Sequence, residues 1–493
     1  MKRGSILLSD ISIGFNQKNF EYDVYTLVKA FYPNSDIYTF YNEENAHPAD
    51  TKLKLDVGMF EEQINIRARE GDKTLQKSCE PEASCERSEY KNYLKRTLYD
   101  ILSELTGRTL PWGTLTGIRP VKIPMMLMEN GYTNPKIAEY MRETYYTGNK
   151  KTSLAIAVAN REKEILDSID PKSGYSLYVG IPFCPSICLY CSFGSHPYDR
   201  WGHLADAYLE TLFKELAFIA DSMKDKRLDS IYVGGGTPTT LTAVQLEKLL
   251  KKIKELFNTE NVREFTVEAG RPDTVDEEKM AVLYENGADR ISVNPQTMNQ
   301  KTLDLIGRAH TVEQIITAFE TARRTGFKNI NMDIIVGLPG EGIEEVRHTV
   351  EEIQKLSPDS LTVHSLALKR ATRLNLFKEK YIPESFDNSQ EIMDIIDLAS
   401  MQMGMEPYYM YRQKNMAGNL ENIGYARRGC FGIYNIMIME EKQTIMAAGS
   451  GASTKFVFDD GRIERAENVK DLKNYIERID EMLMRKEKYL KCN

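Results

Sequence analysis

From Ser176 to Met403 the chain alternates apolar strand-like runs with helical ones, and this rhythm restricts it to parallel βαβ units. The strands read at 176–183, 228–235, 264–269, 290–295, 329–337 and 361–368. The helices read at Tyr208–Ser222, Val244–Phe257, Glu277–Gly287, Val312–Gly326, Glu344–Leu356 and Gln390–Met403. Six units are too few for an eight-fold barrel. The expected fold is therefore α/β, a partial (β/α)6 barrel, with its site at the C-terminal ends of the strands.

The flanks read differently. Residues 1–170 form an α+β section: strand-like Ser5 to Ile13, Ile37 to Tyr41 and Lys52 to Val57, then a helix from Tyr93 to Leu105. The polar stretch Glu70–Glu89, holding Cys79 and Cys85, reads as a mobile loop. The Gly- and Pro-punctuated segment Thr106–Lys122 is either a packed connection or a recognition loop. Residues 171–405 hold the barrel. Residues 406–493 read as an α+β extension, with strands at 408–411, from Ile433 to Met439 and from Thr444, and a charged helix from Val469 to Lys491.

Charge and apolar runs limit the possible partners. Lys plus Arg number 64 against 72 Asp plus Glu, a net charge of −8 spread along the chain, which argues against a nucleic-acid surface. No run reaches the ~18 apolar residues of a membrane span. The N-terminal apolar run is too short for a signal peptide. The seven cysteines are odd in number and three are clustered, so a reducing cytoplasm is the expected location.

Those three are Cys184, Cys188 and Cys191, on the loop after the first strand. Three thiolates so close can hold three irons of a cubane cluster, leaving the fourth iron open to a small molecule. A zinc knuckle completed by His196, or plain core thiols, are the other readings. Other polar residues fall where the later strands end. Gly234-Gly-Gly-Thr-Pro closes the second strand, as a ligand cradle or as a simple tight turn. Glu268 closes the third, Gln296 the fourth and Asp333 the fifth. One such carboxylate could be a structural cap, but several ringing one loop suggest a site.

The C-x3-C-x2-C spacing and the Gly-Gly-Gly-Thr-Pro turn resemble the radical S-adenosylmethionine (SAM) proteins. The run from Ser176 to about Lys369 resembles their oxygen-independent coproporphyrinogen III oxidase branch, the HemN and HemW group. Thr116-Gly-Ile-Arg-Pro and Arg412-Gln-Lys-Asn are similar to the HemZ subgroup. The resemblance implies that Cys184, Cys188 and Cys191 ligate a [4Fe–4S] cluster. It implies SAM contacts at Tyr178, Tyr190, Gly235, Gly236, Thr237, Glu268, Gln296, Arg308, Asp333 and Ala367. Of these, Gln296, Arg308 and Asp333, with Tyr190 and Ala367, match a second SAM site of the HemN type. Arg308 could instead cap the helix that ends near Gly307.

The resemblance further implies a tetrapyrrole substrate, coproporphyrinogen III, whose propionates become vinyls. It also implies a low-potential electron donor such as flavodoxin or ferredoxin. Cationic partners for propionates would come from Arg108, Arg119, Arg370, Arg373 or Arg412. Some features depart from the relatives. Gly180 stands where the HemN type has His, and Phe193 where it has a further Cys. No His follows His364, so the C-terminal haem motif of the HemW type is absent. Tyr178, Tyr190 and His196 are the candidates for the missing proton donor. A haem-binding chaperone and a radical SAM methyltransferase acting on haem are the alternatives.

Overall fold

The computed structural model describes residues 10–33, 35–41, 47–48, 50–192, 194–367, 372–376, 388–413 and 420–491. The beginning of the first expected strand, Phe193, Lys369, Arg370, Lys414, Asn415 and Cys492 lie outside these residues. The chain divides into two compact units, residues 1–156 and 157–493.

The first unit is a five-stranded sheet in the order β2-β1-β3-β4-β5. Its strands are β1 (Ile11–Phe15), β2 (Ile37–Tyr41), β3 (Leu53–Met59), β4 (Ile64–Glu70) and β5 (Lys73–Cys79). Alternation is clear in β3, where Leu53, Leu55, Val57 and Met59 are buried and the residues between them less so. Those side chains meet Leu94, Leu98, Ile101 and Leu102 of the helix Arg87–Thr106 in one core. The helix stops at Gly107, whose φ of 64° is left-handed. The stretch read as a mobile loop contains β5, paired antiparallel with β4 from Glu70↔Lys73 to Ile64↔Cys79. It is an edge strand that buries no apolar face, so ladder hydrogen bonds hold it and hydropathy could not reveal it. A Gly71-Asp72 turn, with Gly71 at φ 58°, makes the hairpin.

In the second unit the strands follow the expected rhythm. They are β6 (Gly174–Ile181), β7 (Phe183–Cys184), β8 (His196–Pro197), β9 (Arg227–Gly235), β10 (Glu264–Glu268), β11 (Arg290–Ser292), β12 (Asn329–Val336) and β13 (Ser360–Ser365). β6, β9, β10, β11, β12 and β13 lie side by side and all parallel, as an open (β/α)6 barrel requires. The helices Ala205–Ser222, Ala243–Leu256, Glu277–Glu285, Val312–Thr325, Ile343–Leu356 and Gln390–Gln402 alternate with them. Each of the six buries an apolar set, as Leu246, Leu249, Leu250 and Ile253 do in the second.

The segment after residue 405 extends the same sheet at both edges. β14 (Glu406–Tyr411) and β15 (Asn422–Ala426) add antiparallel strands beside β13. β16 (Thr444–Ala448) lies parallel to β6, followed by antiparallel β17 (Ser453–Val457) and β18 (Ile463–Glu467). Two readings need correction. Ile433–Glu440 is a helix, burying Tyr434, Ile436, Met437 and Glu440. A short run that is apolar on every side has no telling period. Glu264 Oε2 accepts from the Tyr434 backbone N–H, placing a carboxylate at this helix's first turn. The last helix is two, Leu472–Glu477 and Ile479–Leu490, broken at Arg478.

Candidate active site

A cleft opens where the parallel strands end, with about 1200 Å³ of space not filled by protein, including solvent at its mouth. The sequence builds its rim strand by strand. At the first strand, β7 and β8 pair through Phe183↔His196 and Cys184↔Pro197. This draws the two ends of a loop together, and residues 185–192 of it bear the other two cysteines. Within it the Cys191 N–H donates to Cys188 O at 3.2 Å, and the Leu189 N–H to Ile306 O at 2.9 Å. Cys184, Cys188 and Cys191 all line the cleft.

The glycine turn after β9 docks onto the base of this loop. The Gly236 N–H donates to Ile181 O at 2.7 Å, and the Thr237 N–H to Phe183 O at 2.6 Å. Gly236 has to be glycine there, since a Cβ would stand 2.4 Å from Phe183 O. Gly235 takes φ 107°. Thr237 Oγ1 donates to Cys184 Sγ at 3.6 Å.

Glu268 is the last residue of β10 and faces the cleft. Burial pushes its carboxyl up to about 7, despite hydrogen bonds from Tyr232 and the Gly235 N–H that favour the charged form. Asp333 lies three residues inside β12 rather than at its end. Burial opposes its charge, but His364, Asn331 and Thr362 outweigh burial and hold its carboxyl below the ordinary value. Asn331 Nδ2 donates to its Oδ1 at 2.7 Å. The two carboxyls thus part in opposite directions, one able to take up a proton near neutrality and one kept ionised.

Gln296 lies four residues beyond the end of β11, at a left-handed φ of 68°. Its N–H donates to Asp333 O and its C=O accepts from the Ile335 N–H, both at 2.9 Å. Arg308 does not cap the nearby helix. It is 5% exposed and donates to the carbonyls of Asn294 and, at 3.4 Å, Gly270.

The structure gathers Tyr190, Gly235, Gly236, Thr237, Glu268, Gln296, Arg308, Asp333 and Ala367 around the same cleft as the three cysteines. Two expected residues stand outside its lining. Tyr178 lies in a stack with Tyr232 and Tyr434, its hydroxyl beneath Gly235. His196 sits at the base of the cysteine loop with its ring against Trp201, 5.2 Å between centroids. Of the arginines expected to pair propionates, Arg370 lies outside the described residues. Arg108 and Arg119 belong to the first unit, where Arg108 Nη1 donates to Phe31 O at 3.1 Å. Arg373 is exposed, and the buried Arg412 directs Nε to Leu420 O at 3.4 Å.

Other lining residues escaped sequence reasoning. Arg271, three residues past Glu268, could have been found from its place after a strand end. His364 near the end of β13 could have been found in the same way. Asn294 and Asn422 carried no signal, because ordinary loop and strand residues look the same in a sequence.

The residues present fit a cluster better than a single ion. Among the described residues, no three His, Cys, Asp or Glu side chains converge on one metal position. A cubane needs no such convergence, since each thiolate binds its own iron. Donors also reach the sulfurs: Thr237 to Cys184, and Arg271 Nη1 to Cys188 at 3.8 Å.

Known proteins resemble this chain in sequence and in fold. Residues 178–353 match the model of the Radical SAM superfamily. The oxygen-independent coproporphyrinogen-III oxidase-like protein HemZ of Bacillus subtilis (strain 168) is 42% identical over 405 residues, 81% of this chain and 81% of its own length. The heme chaperone HemW of Lactococcus lactis subsp. lactis (strain IL1403) is 38% identical over 227 residues, 45% of this chain and 58% of its own. In fold, the chain resembles the coproporphyrinogen III oxidase (HemN) from Escherichia coli, a radical SAM enzyme. That match has a TM-score of 0.50 at 24% identity and covers 64% of this chain and 70% of that one. Membership implies a [4Fe–4S] cluster and SAM. Among the described residues no helix is long and apolar enough to cross a membrane. The chain belongs to the radical SAM superfamily and, within it, to the HemZ family of oxygen-independent coproporphyrinogen-III oxidase-like proteins.

Proposed function

We propose that this protein is a cytoplasmic radical SAM oxidoreductase of tetrapyrrole metabolism. In this reading it decarboxylates two propionates of coproporphyrinogen III to vinyls, taking electrons for its cluster from a flavodoxin or ferredoxin. The single observation that carries the reading is the meeting of the cysteine loop, the glycine turn, Glu268, Gln296, Arg308 and Asp333 in one cleft. The names of the relatives supply the substrate class.

When bound, the cluster and SAM supply a 5′-deoxyadenosyl radical able to abstract hydrogen from a propionate β-carbon. The chain's own residues hold Cys184, Cys188 and Cys191 on one pinched loop and cradle the methionine end of SAM with Gly235, Gly236 and Thr237. Glu268 and Asp333 accept hydrogen bonds from ammonium or ribose hydroxyl groups. Arg308 pairs a carboxylate, of a second SAM or of the substrate. The domain roles follow: residues 171–405 supply the chemistry, and residues 406–493 contribute Tyr411, Gln413 and Asn422 to the cleft wall.

Of the three candidate proton donors, Tyr190 lines the cleft, so it is the one we favour. His364 also lines it, with Nε2 3.8 Å from Asp333 Oδ2 and Nδ1 3.4 Å from the Tyr411 hydroxyl. The test is anaerobic incubation of the cluster-loaded protein with SAM, reductant and coproporphyrinogen III, followed by mass analysis. Two successive losses of CO2 and two hydrogens support the reading. A haem absorption band without turnover would favour a haem chaperone, and a methylated tetrapyrrole would favour methyl transfer.

A further inference from the structure

Arg271 is buried beside the cysteine loop with its guanidinium held by polar partners. It follows β10 at the start of a tight turn and is only 3% exposed. Asp273 clamps one side of its guanidinium, with Nε to Oδ1 and Nη2 to Oδ2 both at 2.9 Å. His310 backs that carboxylate, its Nδ1 3.5 Å from Oδ1, and is itself wholly buried. The fork therefore cannot swing, and its remaining arm points at the cysteine loop. Nη1 donates to Ser186 Oγ at 3.1 Å, to Ser186 O at 3.4 Å and to Cys188 Sγ at 3.8 Å.

The three cysteines are not treated alike. Cys188 faces a buried cation, and Arg308 borders it as well. Cys184 receives a neutral hydroxyl from Thr237. We infer that Arg271 is a positioning residue that fixes the cysteine loop through Ser186 and raises the reduction potential of the cluster through its charged hydrogen bond to Cys188. The inference rests on the cluster reading above.

The physical reason is charge. Reduction adds an electron to a cluster already made negative by thiolates and sulfides. A fixed guanidinium in a low-dielectric pocket stabilises the reduced form more than the oxidised one, and hydrogen bonds to the sulfurs act in the same direction. The Asp273 clamp keeps the bond directed at sulfur and away from water. Lysine could keep the charge but not the fork.

The experiment is a potentiometric titration, followed by electron paramagnetic resonance, of the full chain reconstituted anaerobically with iron and sulfide. It compares wild type, R271Q and R271K. At a fixed poise the ratio of reduced to oxidised cluster should fall at least tenfold in R271Q, about 59 mV for one electron. R271K should stay within threefold of wild type. An unchanged ratio in R271Q overturns the inference and leaves the cluster reading intact. A wild-type protein that takes up no [4Fe–4S] cluster overturns both. Should R271Q hold no iron, R271K decides. A cluster at the wild-type potential supports the role of the cation, and loss of the cluster there too overturns it.

Discussion

The Tyr232 hydroxyl donates to Glu268 Oε1 across 2.5 Å, from a ring stacked against that of Tyr434 with Tyr178 beside them both. This bond favours the ionised carboxyl, while burial pushes its pKa up to about 7. A ligand that donates to the carboxylate binds the ionised form, so SAM should bind most tightly above about pH 7 and progressively more weakly below it. E268Q should remove this pH dependence and weaken binding by about 1.5–3 kcal/mol, roughly ten- to a hundredfold, the worth of a hydrogen bond to a charged group. Y232F takes away a group that favours the charge, so the midpoint should move to higher pH. Calorimetric titration of SAM into cluster-loaded protein between pH 6 and 8.5 measures all three.

The cysteines make a sharper test of the loop. C184A, C188A and C191A should each lose nearly all iron and the cluster's visible absorption. C430A should keep both, because Cys430 is not among the residues lining the cleft. Iron analysis after anaerobic reconstitution decides it. Full retention in C184A would remove the basis for the site.

The glycine turn should tolerate even less. A Cβ on Gly236 would meet Phe183 O at 2.4 Å and Ile181 O at 2.9 Å. Both are backbone atoms, so the turn itself must shift. G236A should therefore weaken SAM binding at least tenfold and disturb cluster uptake, since the same contacts anchor the chain just before Cys184. Binding measurements beside iron content would separate the two effects.

Much of this architecture was legible because apolar strands between amphipathic helices leave a strong pattern. Each of the six parallel strands was found within a few residues of its ends. What was missed lacked that physics. β5 is a polar edge strand held by ladder hydrogen bonds, so nothing apolar marks it. The helix Ile433–Glu440 looks like a strand because residues on every side are apolar. In the site, Glu268 was visible as a carboxylate ending an apolar run, whereas the role of Arg271 depends on where Asp273 and Ser186 come to lie. His196 drew attention by its closeness to Cys191 in sequence, yet the chain turns its ring onto Trp201.

Sequence gave no hint of the ion pair between Lys486 and Glu215, with both side chains at 0% exposure and 2.6 Å between them. It ties the last helix to the first barrel helix. Asn468 accepts from Lys486 at 2.7 Å, and Tyr475 donates to Glu215 at 2.5 Å. The Gly449 N–H and Asn468 Nδ2 also donate to the same carboxylate. Removing the cation alone leaves a buried charge, so K486A should destabilise by about 3–5 kcal/mol. The double variant E215L/K486M should lose clearly less, because no lone charge remains. Urea unfolding of the two variants makes the comparison. Equal losses would mean that packing, not charge, is what Lys486 supplies.

Arg308 allows the question of a second SAM to be put to a number. Its partners include the backbone carbonyls of Asn294 and Gly270, Cys188 and Tyr190 lie beside it, and its buried Nε has no hydrogen-bond partner among the described residues. A guanidinium so placed has capacity left for a carboxylate. Its neighbours Gln296 and Asp333 are joined backbone to backbone at 2.9 Å, which keeps that side of the cleft in shape. Equilibrium dialysis of the cluster-loaded wild type should find two SAM per chain. R308M should retain one, with the tighter affinity unchanged within about threefold. Reductive cleavage to 5′-deoxyadenosine should continue in R308M, since the three cysteines and the backbone bonds that anchor their loop and the glycine turn remain. A wild-type stoichiometry of one would instead assign Arg308 to the substrate carboxylate. In that case R308M should raise the KM for coproporphyrinogen III and leave SAM binding alone.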